Sequence, residues 1–171
     1  VPPVPLVSDS DSTQLRHAFA KVPSGVAALA ALVDGAPQGL VVSTFTVGVS
    51  LDPPLVMFAV QNSSRTWPVL RRSGRLGVSV LSAHQEHAAR QIASKDGDRF
   101  AGLPVSVSSE GALLLPGAAL WLDCSVEQEV PAGDHAVVFL RVHGHEVREG
   151  HVDPLVFHGS AFTGLRQPAL V

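Results

Sequence analysis

The chain has 171 residues, 46% hydrophobic and only 16% charged, with a formal net charge of −3 at pH 7. That length supports one domain with a substantial core, while the acidic balance, without a basic run interleaved with aromatics, excludes non-specific nucleic-acid binding. The single cysteine, Cys124, excludes an intrachain disulfide and a multi-cysteine metal site, and no apolar run approaches the ~20 residues of a membrane span. So few charges imply that more surface is covered by a partner subunit, a homodimer being the simplest arrangement. Residues 1–10, VPPVPLVSDS, lack the charged and apolar segments of a signal peptide and read as a flexible tail. A single domain at 11–171 and a cytoplasmic location are expected.

In chain order, Asp11 or Ser12 can cap a short helix reaching Lys21, with Leu15, Ala18 and Phe19 on one face. Val26 to Val33 reads as a strand, because DGAP, Asp34 to Pro37, follows as a hairpin turn. Gly39 to Phe45 returns as a second strand, and Leu55 to Val60 is a third, apolar one. Asp52-Pro53-Pro54 precedes it. Prolines cannot pair inside a sheet, so these are expected to end one element and fix the entry into the next. Ser64 or Thr66 caps a short helix that carries Pro68 early and ends near Arg72. Arg75 to Leu81 alternates like a half-buried strand. Ser82 opens a helix whose buried stripe is Ala88, Ala89 and Ile92, and KDGDRFAG, from Lys95, is a loop. Beyond it Leu120–Val130, His135–Val147 and Pro154–Ser160 are strand-like, and Cys124 within the first reads as a buried, inert thiol. Mostly strands with two or three short helices indicates a β-barrel or sandwich.

The nucleotide fingerprints fail. No G-x-G-x-x-G follows a strand, and Gly97 and Gly102 have P-loop spacing but precede Leu103-Pro104 instead of Lys-Ser/Thr. No G-x-S-x-G elbow supports a serine hydrolase. His84 and His87 flank Gln85-Glu86, which is not the H-E-x-x-H zinc motif. His143, His145 and Glu149 match the H-x-H-x₃-E spacing of metal-binding cupins, and strand alternation would aim both imidazoles at one metal. The flanking glycines of that pattern are out of place, and a solvated strand edge competes with it. Two features remain. Gln61-Asn62-Ser63-Ser64-Arg65-Thr66, at a strand-to-helix junction, suits either an anion or an ordinary helix cap. Pro131 to His135 is a turn that sets one histidine at the start of a strand.

GLVVSTFTVGVSLDPPLVMFAV (residues 39–60), followed in order by SSRTW, RLGVSVL, KDGDRF, GDH and PLVFHGS, resembles the signature of the flavin reductase family. The resemblance runs from about Leu15 to Leu165. It implies the FMN-binding split β-barrel: mainly β with short helices, Greek-key-like, homodimeric, with flavin near the subunit interface. It further implies hydride transfer from NADH or NADPH to FAD or FMN, and reduced flavin supplied to a partner monooxygenase. By position, Ser43, Thr44 and Ser50 would line the isoalloxazine and ribityl chain. Gln61, Ser63, Arg65 and Thr66 would hold the ribityl and phosphate end, Lys95 and Arg99 would add positive charge, and His135 would contact the nicotinamide. No acid, base or metal is required, since the reactivity belongs to the cofactors. The sequence departs from the family at Gly48, where a second serine is common, and at Ile92-Ala93, where many members have Phe-Ala. Two alternatives stay open: a flavoprotein that retains its flavin, and the metal enzyme built on His143, His145 and Glu149.

Overall fold

A computed structural model of the chain describes residues 2–6 and 11–165. Residues 1 and 7–10 of the expected tail, and 166–171 of the expected domain, lie outside the described residues. Helix α1 (Ser12–Phe19) is capped by Asp11, whose carboxylate accepts from the Thr13 and Gln14 N–H groups at 2.8 Å. None of its residues is buried, and Phe19 is 67% exposed. The apolar face read in the sequence therefore does not enter the core.

After β1 (Ser24–Gly25), strands β2 (Ala27–Val33) and β3 (Ala36–Val42) form a tight hairpin. Asp34 and Gly35 turn it with φ of 52° and 78°, the left-handed pair that matches strand twist. A second hairpin follows, β4 (Thr46–Leu51) and β5 (Pro54–Gln61). Here the structure corrects the sequence reading. Asp52 and Pro53, joined by a cis peptide bond, are the turn, and Pro54 is already in β5, opposite Leu51. A proline is tolerated there because it is the first residue of its strand.

One-turn helix α2 (Trp67–Leu70) ends before Arg72, and β6 (Leu76–Val80) follows. A single 3₁₀ turn (Ala83–Gln85) leads into α3 (Glu86–Ala93), with a capping box between Ser82 and Gln85. The chain finishes through β7 (Ser106–Val107), β8 (Leu113–Leu114), β9 (Leu120–Ala132), β10 (His135–Val147), β11 (Val156–His158) and β12 (Ala161–Thr163).

Seven strands form one antiparallel sheet in the order β3-β2-β6-β9-β10-β5-β4. Its outermost strands, β3 and β4, are consecutive in the chain and joined only by Ser43–Phe45. Laid flat, seven strands would separate the outer pair by about 29 Å. The chain from Val42 to Thr46 spans at most about 14 Å. The sheet must therefore curl until its edges nearly meet. This is the split barrel.

Over Ala27 to Ala31 both faces of β2 are buried. Ala27, Leu29 and Ala31 face a core with Phe58, Leu70, Leu76 and Leu140, while Ala28 and Ala30 face a second with Leu81, Ile92, Phe100 and Leu113. The second core draws its segment 113–115 hard against β6. Leu115 N–H donates to the buried Ser79 hydroxyl at 3.0 Å, and a Cβ placed on Gly77 would overlap the Leu113 carbonyl. Cys124 is fully buried on β9. Burial, with the Asp123 carboxylate adding to it, pushes its thiol up to about 12, so it stays protonated and unreactive at neutral pH.

Candidate active site

The seam between the sheet edges opens into a cavity of about 760 Å³. Its walls are the end of β3 from Leu40, the linker Ser43-Thr44, the end of β5 through Gln61, the loop Ser63–Thr66, the α3 end with the loop to Arg99, and His135.

Local hydrogen bonds explain why these distant segments meet. The Thr44 hydroxyl donates to the Ala59 carbonyl and accepts from the Ala59 N–H, both at 3.0 Å, which fastens the linker to β5. Its donor is spent there, leaving backbone and methyl as its main offering to a ligand. Gln61 pairs with His135 across β5 and β10. Asn62 N–H donates to the Asp134 carbonyl at 3.0 Å, and its side-chain amide donates to the Gly133 carbonyl at 3.1 Å. These contacts lock the 61–66 loop to the histidine turn. Arg99 closes the opposite wall, donating from Nη1 to Thr66 Oγ1 at 2.6 Å and to the Gly39 carbonyl at 3.3 Å. Gly39 permits that approach, since a Cβ there would sit 2.7 Å from the Phe100 ring.

The electrostatics are one-sided. Arg65, Lys95 and Arg99 stand against the single carboxylate of Asp96, in a chain whose net charge is −3. Concentrating cations in a concave wall focuses the field on an anionic ligand. His135 Nδ1 lies 2.7 Å from Asp134 Oδ1. That bond holds the Asp134 carboxyl below the usual range, with the His135 charge adding to it. Asp134 is therefore ionised at neutral pH and fixes the ring by its Nδ1 edge.

Every residue expected at a flavin or nicotinamide lines this cavity except Ser50. Ser50 lies on β4 opposite Leu55, beyond a register shift that separates it from Thr46. Gly48, at φ 72°, turns the strand within that shift. Asp96 and Ser64 also line the cavity; both fall inside recognised motifs, KDGDRF and SSRTW, but neither was given a part in binding. The Ser64 hydroxyl is committed to the Trp67 N–H at 3.1 Å, capping α2. With only four residues, α2 brings little dipole to an anion, so the cations must carry that task.

The three cupin-spaced residues form no site. A register shift between Val142 and Gly144 displaces His143 from regular alternation, and it pairs with the Ser125 hydroxyl at 2.7 Å on an exposed surface. Among the described residues no group of three His, Cys, Asp or Glu side chains could hold a metal.

A family model described as the flavin reductase like domain matches residues 19–166. The chain belongs to this flavin reductase family. It is 37% identical over 155 residues to a flavin reductase of Pseudomonas putida, covering 90% of both chains. It is 35% identical over 156 residues to the reductase subunit HsaB of a flavin-dependent monooxygenase from Rhodococcus jostii (strain RHA1), covering 91% of this chain and 78% of that one. The solved NADH:FAD oxidoreductase SgcE6 of Streptomyces globisporus C-1027, in complex with NAD and FAD fragments, superposes with a TM-score of 0.85 at 32% identity. That match covers 97% of this chain and 98% of that one.

For a member of the flavin reductase family, the donor set fits a flavin nucleotide. Leu40 and Val42 offer an apolar wall that would suit a ring system, Gln61 and Ser63 offer polar groups that would suit a hydroxylated chain, and the three cations would suit phosphate.

Proposed function

We propose that this chain transfers hydride from NADH to FAD or FMN and supplies the reduced flavin to a partner monooxygenase. The observation that carries the reading is the cationic cavity at the seam, where Arg65, Lys95 and Arg99 share the walls with a histidine on the neighbouring strand, held by Asp134. When bound, the flavin accepts a hydride from a nicotinamide stacked at roughly 3–3.5 Å. The chain's own task is placement. Thr66 and the Gly39 carbonyl preset the Arg99 guanidinium, so little side-chain freedom is lost on gripping a phosphate. Asp134 engages Nδ1 of His135, which leaves Nε2 to meet the carboxamide of the nicotinamide.

His135→Ala is expected to raise the KM for NADH about tenfold, the scale of one good hydrogen bond to a positioned group, with flavin affinity within about twofold. Steady-state kinetics and a flavin titration measure the two separately. An unchanged KM removes His135 from the site.

The reading includes a homodimer in the cytoplasm. Support for the dimer comes from the low charge content and from edge strand β4, where Val47 is 58% and Leu51 89% exposed. Light scattering on the pure protein tests it, and a monomer at micromolar concentration overturns it.

The deciding experiment follows NADH and NADPH consumption with FAD, with FMN and with neither. Turnover that saturates with added flavin supports a reductase that releases its product. Turnover by a yellow protein that ignores added flavin supports retention of the flavin instead. No turnover with either nucleotide and either flavin overturns both.

A further inference from the structure

One group in the seam cavity is at odds with an anionic ligand. Arg65, Lys95 and Arg99 suit phosphate, yet the same wall presents the carboxylate of Asp96. A carboxylate beside a phosphate costs affinity, so its presence there needs a reason.

Two carboxylates lie in residues 95–100, and the fold uses them differently. Asp98 Oδ1 accepts the Phe100 N–H at 2.9 Å, so Asp98 is spent on the turn. The Asp96 carboxylate makes no hydrogen bond or ion pair with any described residue. Its backbone, in contrast, is fixed. Asp96 N–H donates to the Ser94 hydroxyl at 3.2 Å, that hydroxyl donates to the Asp96 carbonyl at 3.0 Å, and Gly97 turns the chain at φ 80°. The loop thus holds an exposed Asp96 at the cavity rim with its acceptors open, while Arg99 is half-buried behind it.

An ionised carboxylate only accepts hydrogen bonds, so it favours a ligand that brings donors. The two flavin nucleotides differ in what they bring. FMN ends in a phosphate monoester, which concentrates about −1.5 to −2 of charge on one phosphorus at neutral pH. FAD spreads one charge on each of two phosphorus atoms and continues into adenosine, whose ribose hydroxyls and amino group are donors. Ribose hydroxyls are groups that carboxylates hold in other nucleotide sites. Asp96 therefore opposes the ligand that stops at the phosphate and favours the one that extends past it.

We infer that Asp96 selects FAD over FMN, accepting hydrogen bonds from the adenosine of FAD at the rim and repelling the terminal phosphate of FMN. The inference rests on the proposed binding of a flavin nucleotide in the seam cavity and names which of the two it is.

Fluorescence titration of the flavin-free protein with FAD and with FMN tests this without turnover. Wild type is expected to bind FAD about tenfold more tightly, the scale of one hydrogen bond combined with one relieved repulsion at an exposed site. In Asp96→Asn the Kd for FMN should fall about threefold and that for FAD rise about threefold, which brings the two together. Asp96→Glu keeps the charge and the acceptors and should keep most of the preference. Arg99→Ala should weaken both flavins by a similar factor, since both carry the phosphate it grips. Wild type that binds FMN as tightly as FAD or more tightly overturns the inference and leaves the reductase reading standing. So does an Asp96→Asn that shifts neither flavin, or both by the same factor. A preference for FAD that disappears in Asp96→Asn, in a wild-type protein that turns over neither NADH nor NADPH, overturns the reductase reading alone.

Discussion

Arg99→Ala is expected to weaken flavin binding by about ten- to hundredfold, the range of a charge-assisted hydrogen bond lost from a partly buried wall. Of the three cations lining the seam, Arg99 is the half-buried one, whereas Arg65 and Lys95 are exposed. It is also the one tethered, its Nη1 donating to Thr66 Oγ1 at 2.6 Å and to the Gly39 carbonyl at 3.3 Å. Less solvent screens it, and less entropy is lost when it grips a ligand. Arg99→Lys should fall between wild type and alanine, since an ammonium keeps the charge but not the planar fork. A fluorescence titration of FAD or FMN into each variant gives the affinities, and thermal unfolding of the apoproteins separates lost binding from lost stability. Equal flavin affinity in wild type and Arg99→Ala would remove this residue from the phosphate site. Wild-type affinity should also decline with ionic strength, and Arg99→Ala should decline less steeply.

The largest stability effect is expected far from the cavity. Gly77→Ala should cost about 3 kcal/mol, the upper end for forcing an atom into a packed interior. For a chain of this size that lowers Tm by about 6–12 °C. The cause is specific. A Cβ at this position overlaps the Leu113 carbonyl oxygen and lies 2.6 Å from its carbonyl carbon. That backbone cannot step aside cheaply, because Ser79 holds the Leu115 N–H and Trp121 donates to the Leu115 carbonyl at 2.8 Å. Gly74, where an added Cβ meets nothing within 4 Å, is the matched control, and Gly74→Ala should leave Tm nearly unchanged. Equal thermal midpoints for the two variants would disprove the close-approach account.

The long elements were legible because their residues have one dominant reason to be where they are. His135–Val147 follows from its alternating pattern, and the Asp34-Gly35 turn from residues that tolerate positive φ. Strand β4 was not legible. It is an edge strand with mostly exposed positions, so Thr46–Leu51 has no buried face to leave a period in its composition. The same cause left α1 misread: of its apolar residues Phe19 lines a second cavity, and none fills a core. The cavity residues were reached through motif order, as single side chains with no period of their own. Of the residues reached this way Ser50 alone lies apart from the cavity, the register shift in β4 falling between it and the serine-threonine pair. Motif order also gave Asp96 no role, although KDGDRF sets it between Lys95 and Arg99.

The β9–β10 hairpin lies between β6 and β5 in the sheet, although it is made long after both. A nascent chain that has emerged only as far as Gly117 holds two finished hairpins and β6, but nothing to pair with the inner edges of β5 and β6. Those edges carry Val56, Phe58, Leu76 and Val78, apolar residues that the full sheet buries. Bare rims of this kind recruit other chains. The sheet cannot close until residues 120–147 slot in and satisfy both rims at once. The last third of the protein is therefore its built-in chaperone against premature association, and truncations or slow synthesis there should yield aggregates, not a smaller folded domain.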